Sequence, residues 1–307
     1  MRVKLGADPE LFGWDMEKKH FICAHGMIPG SKAKPHPVKK GAIQPDGFAF
    51  EFNIDPAESA EEFDDNIETV IGELKSYLPK NIELRSLPTA YFPLEYFKAQ
   101  SVEARRLGCD PDYNAYTKEE NPRPKTTKPM RTSGGHVHVS WRDGGDVDSD
   151  HIADCNEVVK QLDFYIGVTS LMWDQDYERR KLYGAPGACR YKTYGVEYRP
   201  LSSAWVLDSK TRQFIFNSTV GALKDLERGK AARIIIGNNW AQQHMMGVGY
   251  KFTNGMSDLF QRNLPSFQNG MLLYVQQQIS PNMLAMQTKW MMECQESVGT
   301  IPFGTAG

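Results

Sequence analysis

Carboxylates, imidazoles and arginines recur in this chain at the every-other-residue spacing that puts side chains on one face of a β-strand. In Gly6-Ala7-Asp8-Pro9-Glu10 the pair is Asp8 and Glu10. In Gly47-Phe48-Ala49-Phe50-Glu51-Phe52-Asn53-Ile54, Glu51 and Asn53 share one face, and Phe48, Phe50, Phe52 and Ile54 the other. A third stretch, Gly135-His136-Val137-His138-Val139-Ser140, offers two imidazoles, and a fourth, Val196-Glu197-Tyr198-Arg199-Pro200, offers Glu197 and Arg199. Together they describe a sheet with one apolar face in the core and one face lined by charge. Charges gathered in this way cost free energy unless a metal or an anion balances them, so the pattern predicts an enzyme with a metal-filled site.

Asp8, Glu10, Glu51 and Glu197 are hard oxygen donors suited to Mg²⁺ or Mn²⁺. Any one of them alone reads more simply as a turn residue or a solvated strand position, and their recurrence on matching faces carries the argument. His136 and His138 project from one face, one placed to ligate a metal and the other to touch a substrate. HxH pairs also mark zinc hydrolases, so the pair by itself fixes no reaction. Arg179, Arg180, Arg190 and Arg199 add planar guanidinium groups that match phosphate oxygens, with a solvated helix end the simpler reading for one of the first two. His20, His25, His36, His151 and His244 read as ordinary surface or core histidines. The acidic run from Asp146 to Asp150 resembles a calcium loop, but His151 stands where that loop needs glycine, and an acidic helix start explains it. Met283, Met286, Met291 and Met292 read as core filling. No Walker A or GxGxxG sequence occurs.

The elements that must position these residues are those of a soluble 307-residue protein. A net charge of −2 gives no general attraction to nucleic acid or anionic membrane. No apolar run reaches the ~20 residues of a membrane span, and no signal peptide fits before the first strand. Five scattered cysteines without a CxxC pair predict reduced thiols and a cytoplasmic location. Residues 11–14 and 20–24 predict a hairpin, and residues 25–40 a surface loop. Apolar stripes predict helices over 59–78, capped by Ser59 with Glu62, over 151–173, and from Asp208 to Leu226. Residues 107–133 read as a long, Pro- and Lys-rich connection of the kind that often serves function. The whole is expected to be one catalytic α+β domain, 1–307, a mostly antiparallel sheet with helices on its apolar face. The motifs occupy 1–205, and 206–307 is a helical or irregular remainder.

In order, these motifs resemble the glutamine synthetase and γ-glutamylcysteine ligase superfamily, and within it the phage-type carboxylate–amine ligase family (type 2). The resemblance runs through Gly6–Glu10, Asp46-Gly47 to Asn53, Gly108-Cys109-Asp110-Pro111-Asp112-Tyr113-Asn114-Ala115-Tyr116, Arg131 to Ser140 and Tyr183 to Ser202. It implies a sheet forming an open funnel with helices outside, and an ATP-dependent ligase that joins a small-molecule or peptide carboxylate to an amine. It implies two Mg²⁺ (or Mn²⁺) ions, one on Glu10 and Glu51 and one on Asp8, His136 and Glu197, with Asp8 standing where relatives commonly carry glutamate. His138 and Ser140 would lie near the nucleotide, and Arg180, Arg190 and Arg199 would take its phosphates. Relatives of this fold form rings or dimers, so a homo-oligomer is implied, in a host cytoplasm if the chain is phage-encoded. A metal-dependent hydrolase built on the HxH pair and a non-catalytic ATP-binding relative are the competing readings.

Overall fold

A long strand, β1 (Lys4–Asp15), organises the molecule by pairing with four others. The computed structural model describes residues 2–105, 111–267 and 269–298. The remaining strands are β2 (His20–Ile22), β3 (His36–Val38), β4 (Gly41–Asp46), β5 (Ala49–Ile54), β6 (Ile82–Arg85), β7 (Thr89–Tyr91), β8 (Tyr113–Asn114), β9 (Met130–Thr132), β10 (Gly135–Ser140), β11 (Ala188–Lys192) and β12 (Gly195–Tyr198). One sheet has the order β3-β4-β5-β1-β10-β12-β11-β8, with β2 and β6 pairing to the far end of β1, while β7 and β9 form a separate ribbon. All these pairings are antiparallel, as the alternating strands predict.

The alternation does what it promised. Leu5, Ala7 and Leu11 of β1, Phe50, Phe52 and Ile54 of β5, and Val137 and Val139 of β10 are buried in one apolar cluster. The helix Ala60–Ser76 lays Phe63, Ile67, Val70 and Leu74 into the same cluster. Its Ser59 hydroxyl accepts the Glu62 N–H at 3.1 Å, and the Glu62 carboxylate accepts the Glu58 N–H, closing the expected capping arrangement one residue early. The helix Ser209–Glu227, capped by Asp208, crosses it and adds Phe214, Ile215 and Leu223. Side chains between Phe214 and Met283 therefore share the core of the motif-bearing sheet. Phe48 departs from its expected face. It precedes β5 and packs in a second cluster, its ring 4.3 Å from Phe92 and 4.9 Å from Phe97.

Two elements differ from the sequence expectation. The helix predicted over 151–173 is α-helical only at Ser149–Leu162, then widens into a π-turn at Asp163–Gly167 and tightens into a 3₁₀ turn at Thr169–Met172. The cause lies in β12. The fully buried Asp163 carboxylate accepts hydroxyls from Tyr198 at 2.7 Å and Tyr116 at 2.9 Å, and a Cβ on Gly167 would stand 2.6 Å from the Tyr198 hydroxyl oxygen. The helix thus gives way to the tyrosine. Second, residues 25–40 are not merely a surface loop, because they contain β3 and a tight turn closed by mutual Ser31–Lys34 backbone bonds. The acidic run starts a helix, as expected, but its cap is Asp148, which accepts the His151 N–H, where the sequence favours Ser149 or Asp150. Met283 is buried, whereas Met292 is exposed and fills no core. Cys23, Cys155, Cys189 and Cys294 are buried free thiols. Gly108, Cys109 and Asp110 lie outside the described residues.

Burial pushes the Asp163 carboxyl up to about 7, against the two tyrosine hydroxyls that favour its charge. The folded state then holds a proton that the unfolded chain releases near pH 4. This contribution to stability is full at low pH and fades as pH rises toward 7. Asp163→Asn should flatten the pH dependence of thermal stability between pH 5 and 8, removing a slope worth on the order of 1–3 kcal/mol across that window. Melting curves of both proteins at several pH values test this, and parallel profiles would refute it.

Candidate active site

Strand register builds the site. Across β1 and β10, Asp8 faces His136, and across β1 and β5, Glu10 faces Glu51. One strand further, Gln44 faces Glu51 on one side, and on the other Glu197 of β12 lies between His138 and Arg190. The side chains of one sheet face therefore form two groups whose ligating atoms all lie within 4.8 Å of one another: Asp8, His136 and Glu197, and Glu10, Asp46 and Glu51. These are the two sets that the sequence motifs imply, with one addition. Asp46, the last residue of β4, completes the second group and was missed, although its position before Gly47 and Glu51 placed it in a recognised motif.

The groups differ in electrostatics. Glu10 is pushed up to about 7 by burial and by the charge of Asp46, even though the Gly134 N–H donates to it at 2.7 Å. Glu51 is raised well above the usual carboxylate range by burial and by Glu10, while Gln44 donates to it at 2.8 Å. The nearest cation is Lys32, 2.7 Å from Asp46. In the other group, burial works against ionisation of Asp8, but His138 and His136 outweigh it and hold its carboxyl well below the usual range. Glu197 is drawn down to about 2: burial and Asp8 oppose its charge, and Arg199, His138 and His136 prevail. Burial and Arg199 lower His136, whereas Asp8 raises His138 against the effect of burial.

The donor sets suit a divalent cation. The Oδ1 atom of Asp8 lies 3.2 Å from His136 Nδ1 and from His138 Nε2, yet Asp8 Oδ1 and His138 Nε2 are buried without a hydrogen-bond partner, so the approach is close but misdirected. Oε2 of Glu197 is likewise unbonded, though Lys192 Nζ stands 2.8 Å away. Buried polar atoms left this way are costly, and five carboxylates with one imidazole are the ligand chemistry of Mg²⁺ or Mn²⁺, not of zinc.

The predicted arginines separate. Arg199 is buried beside the first group, with Nε 3.0 Å from Asp112 and Nη1 on Glu197 and near His136. Arg190 donates to Glu197 at 3.2 Å and to the Pro111 carbonyl. Arg180 does not join them. It is buried with Nε on the Met245 carbonyl and Nη1 on Asp174, so its donors hold two chain segments together. Arg179 is similarly committed, to the carbonyls of Ser133, Pro200 and Leu201. A buried guanidinium satisfies its fork with whatever acceptors surround it, and sequence spacing does not reveal which they are. His138 is 2.5 Å from the Tyr194 hydroxyl, and the Ser140 hydroxyl donates to the Arg142 carbonyl.

A cleft reaches both groups, lined by Glu10 and Asp46 of one, His136 of the other, and Asp112, Arg131 and Arg199 among others. A neighbouring cleft of about 570 Å³ shares Asp112, Tyr183 and Gly184 with it and is walled by Pro122, Arg123 and Pro124. Arg131 is buried over the rings of Phe97 and Phe48 at 4.7 and 5.2 Å. The connection 107–133 is fastened over part of its length: Asp112 pairs with Arg199, Tyr116 with Asp163, and Asn114 with the Pro186 carbonyl.

Residues 125–230 match the family model described as phage phiEco32-like COOH.NH2 ligase-type 2. That stretch is about a third of the chain. It spans β10, β11 and β12, and with them His136, His138, Arg190, Glu197 and Arg199. Among solved structures, the chain is similar to a bifunctional glutathione synthetase from Pasteurella multocida, with 11% identity and a TM-score of 0.47 over 97% of this chain and 48% of that one. It is also similar to a novel glutamine synthase homolog, with 13% identity and a TM-score of 0.41 over 94% of this chain and 67% of that one. The chain thus spans about half the length of the glutathione synthetase. No curated protein matches the sequence. No helix of the described residues is long and apolar enough to cross a membrane.

Glu51→Gln should raise the melting temperature of the protein in chelator by up to about 4 °C, or leave it unchanged, because it removes one of three mutually repelling carboxylates without opening a cavity. The same variant should lose at least about tenfold in Mn²⁺ affinity. Scanning fluorimetry and calorimetric titration measure the two effects, and a lower melting temperature would mark Glu51 as a structural residue.

Proposed function

We propose that this protein is an ATP-dependent carboxylate–amine ligase that activates its acid as an acyl phosphate. The observation that supports this best is the register of β5, β1, β10 and β12, which sets two hard-ligand groups edge to edge with Arg190 and Arg199 beside them. The match of residues 125–230 to a ligase family agrees with it. A hydrolase would need the ligands but has no use for paired arginines at their border.

In this reading Glu10, Asp46 and Glu51 hold one Mg²⁺, and Asp8, His136 and Glu197 the other. The ions would neutralise phosphate oxygens and so favour transfer of the γ-phosphoryl group. The chain's own residues do the rest. Arg199 and Arg190 face the transferring phosphoryl group, spreading its charge over planar donors. Arg180 takes no phosphate and braces the segment that carries Tyr183. His138 and Ser140 lie toward the nucleotide, which enters at one end of the open sheet. The substrate acid lies in the cleft beside Arg131 and Asp112, where its oxygen attacks the γ-phosphorus and ADP leaves. The amine then attacks the acyl carbon and displaces phosphate, so one water's worth of atoms is lost overall. The acid and amine are small molecules or peptides.

Incubating the protein with ATP, Mg²⁺ and a pool of metabolites and peptides should give ADP and phosphate, together with a product lighter by one water than the sum of two pool members. AMP and pyrophosphate would replace the acyl-phosphate route with adenylation.

Because residues 112–121 are pinned to the body, closure over bound nucleotide is confined to the stretch after Pro122. Limited trypsin cleavage at Arg123, Lys125 and Lys128 should slow several-fold when a non-hydrolysable ATP analogue and Mg²⁺ are added, while Lys118 is unaffected. Equal cleavage with and without the analogue would remove the lid.

A further inference from the structure

The loop between β2 and β4 places a cation where a metal ion is expected to bind. Ser31 and Lys34 exchange backbone hydrogen bonds, so Lys32 stands at the tip of a two-residue turn. Gly30 (φ +95°) sets that turn against β4, since a Cβ there would lie 2.6 Å from the Ile43 carbonyl oxygen. The strand that follows, β3, pairs with β4 from His36 to Val38 and anchors the loop's other end. The Lys32 ammonium consequently reaches Asp46 at 2.7 Å, with the charges of Glu51 and Glu10 also acting on it. Among the described residues, it is the one cation within ion-pair distance of this group. Its side chain is about half exposed, at 49%, so it can leave without opening a cavity. The Asp8 group has a different arrangement, in which buried Arg199 stays fixed to Glu197 and Asp112.

We propose that Lys32 is a displaceable counter-ion of the Glu10–Asp46–Glu51 group: it competes with the divalent cation for Asp46 and, once displaced, contacts the anion that the cation carries. This rests on the ligase reading of the site and adds to it a residue from outside the recognised motifs. Two consequences follow from charge alone. A cation lost from the group strengthens binding of bare metal. The same loss weakens binding of a phosphate-bearing ligand after the metal is in place, because a lysine no longer paired with Asp46 is available to a nearby oxyanion.

The test compares wild type with Lys32→Met, which keeps the aliphatic stem, and Lys32→Arg, which keeps the charge. Calorimetric titration with Mn²⁺ alone should show Lys32→Met binding about 3- to 10-fold more tightly than wild type, with Lys32→Arg close to wild type. Titration with pyrophosphate at saturating Mn²⁺ should reverse the order, with Lys32→Met several-fold weaker. A purely structural lysine would move both affinities down or neither. Equal or weaker Mn²⁺ binding by Lys32→Met overturns the competition, and unchanged pyrophosphate binding overturns the contact with the anion. If wild type and variants alike bind no Mn²⁺, the metal reading of the site falls and this role with it. Equal binding by all three removes Lys32 alone.

Discussion

Glu10, Asp46 and Glu51 are held close enough for a single ion to touch all three, and the burial of Glu10 and Glu51 weakens the screening of their repulsion by water. The surrounding architecture supplies what is needed to hold them there. Pairing of β1 with β5 fixes Glu10 opposite Glu51, and pairing of β4 with β5 puts Gln44 in position to donate to Glu51. The Gly134 N–H steadies Glu10 from the start of β10. On the reverse of the same strands, Phe50, Phe52 and Leu11 are locked into the core by the helix Ala60–Ser76. Apolar burial on one face thus offsets charge crowding on the other, and the strand between them cannot relax without giving up both.

That coupling explains which parts of the molecule were legible from sequence. A two-residue period has one physical cause, the alternation of faces, so β1, β5, β10 and β12 and the clustering of Asp8, Glu10, Glu51, His136 and Glu197 on one face could be read directly. The helix capped by Ser59 was equally plain, because the cap acts within three residues of itself. The π-turn at Asp163 was hidden, since it answers to Tyr198 and Tyr116, residues 35 and 47 positions away. Arg180 misled for the same reason. Its type announces a phosphate ligand, and its partners at Met245 and Asp174 are known only after folding. Lys32 and Asp46 sit at a turn tip and a strand end, where alternation has no predictive force.

The stretch from Asp112 to Asn121, which holds the two-residue β8, is fastened by polar contacts. Asp112 meets Arg199, Tyr116 reaches the buried Asp163, and Asn121 returns to Asp112. Through Arg199 this segment is joined to Glu197 and His136. Movement there would disturb the Asp8 group, whereas the stretch from Pro122 to Pro124 lines the second cleft.

The two ligand groups also divide the electrostatic work. Asp8 and Glu197 are held ionised by imidazoles and arginines, with Lys192 and Arg190 close upon Glu197. Glu10 and Glu51 resist ionisation, and among the described residues Lys32 is the one cation in ion-pair contact with their group. A divalent cation gains most where negative charge is least compensated, because the energy released is that of charges otherwise forced together or kept protonated. On the ligase reading proposed above, the Glu10–Asp46–Glu51 group would then attract metal more strongly, despite its higher proton affinity. The Asp8 group, already balanced by arginines, would gain less from an ion alone. It would gain more from an ion that arrives with phosphate, because Arg190 and Arg199 lie beside it. On that reading the first group would serve metal capture and the second would hold metal together with the nucleotide.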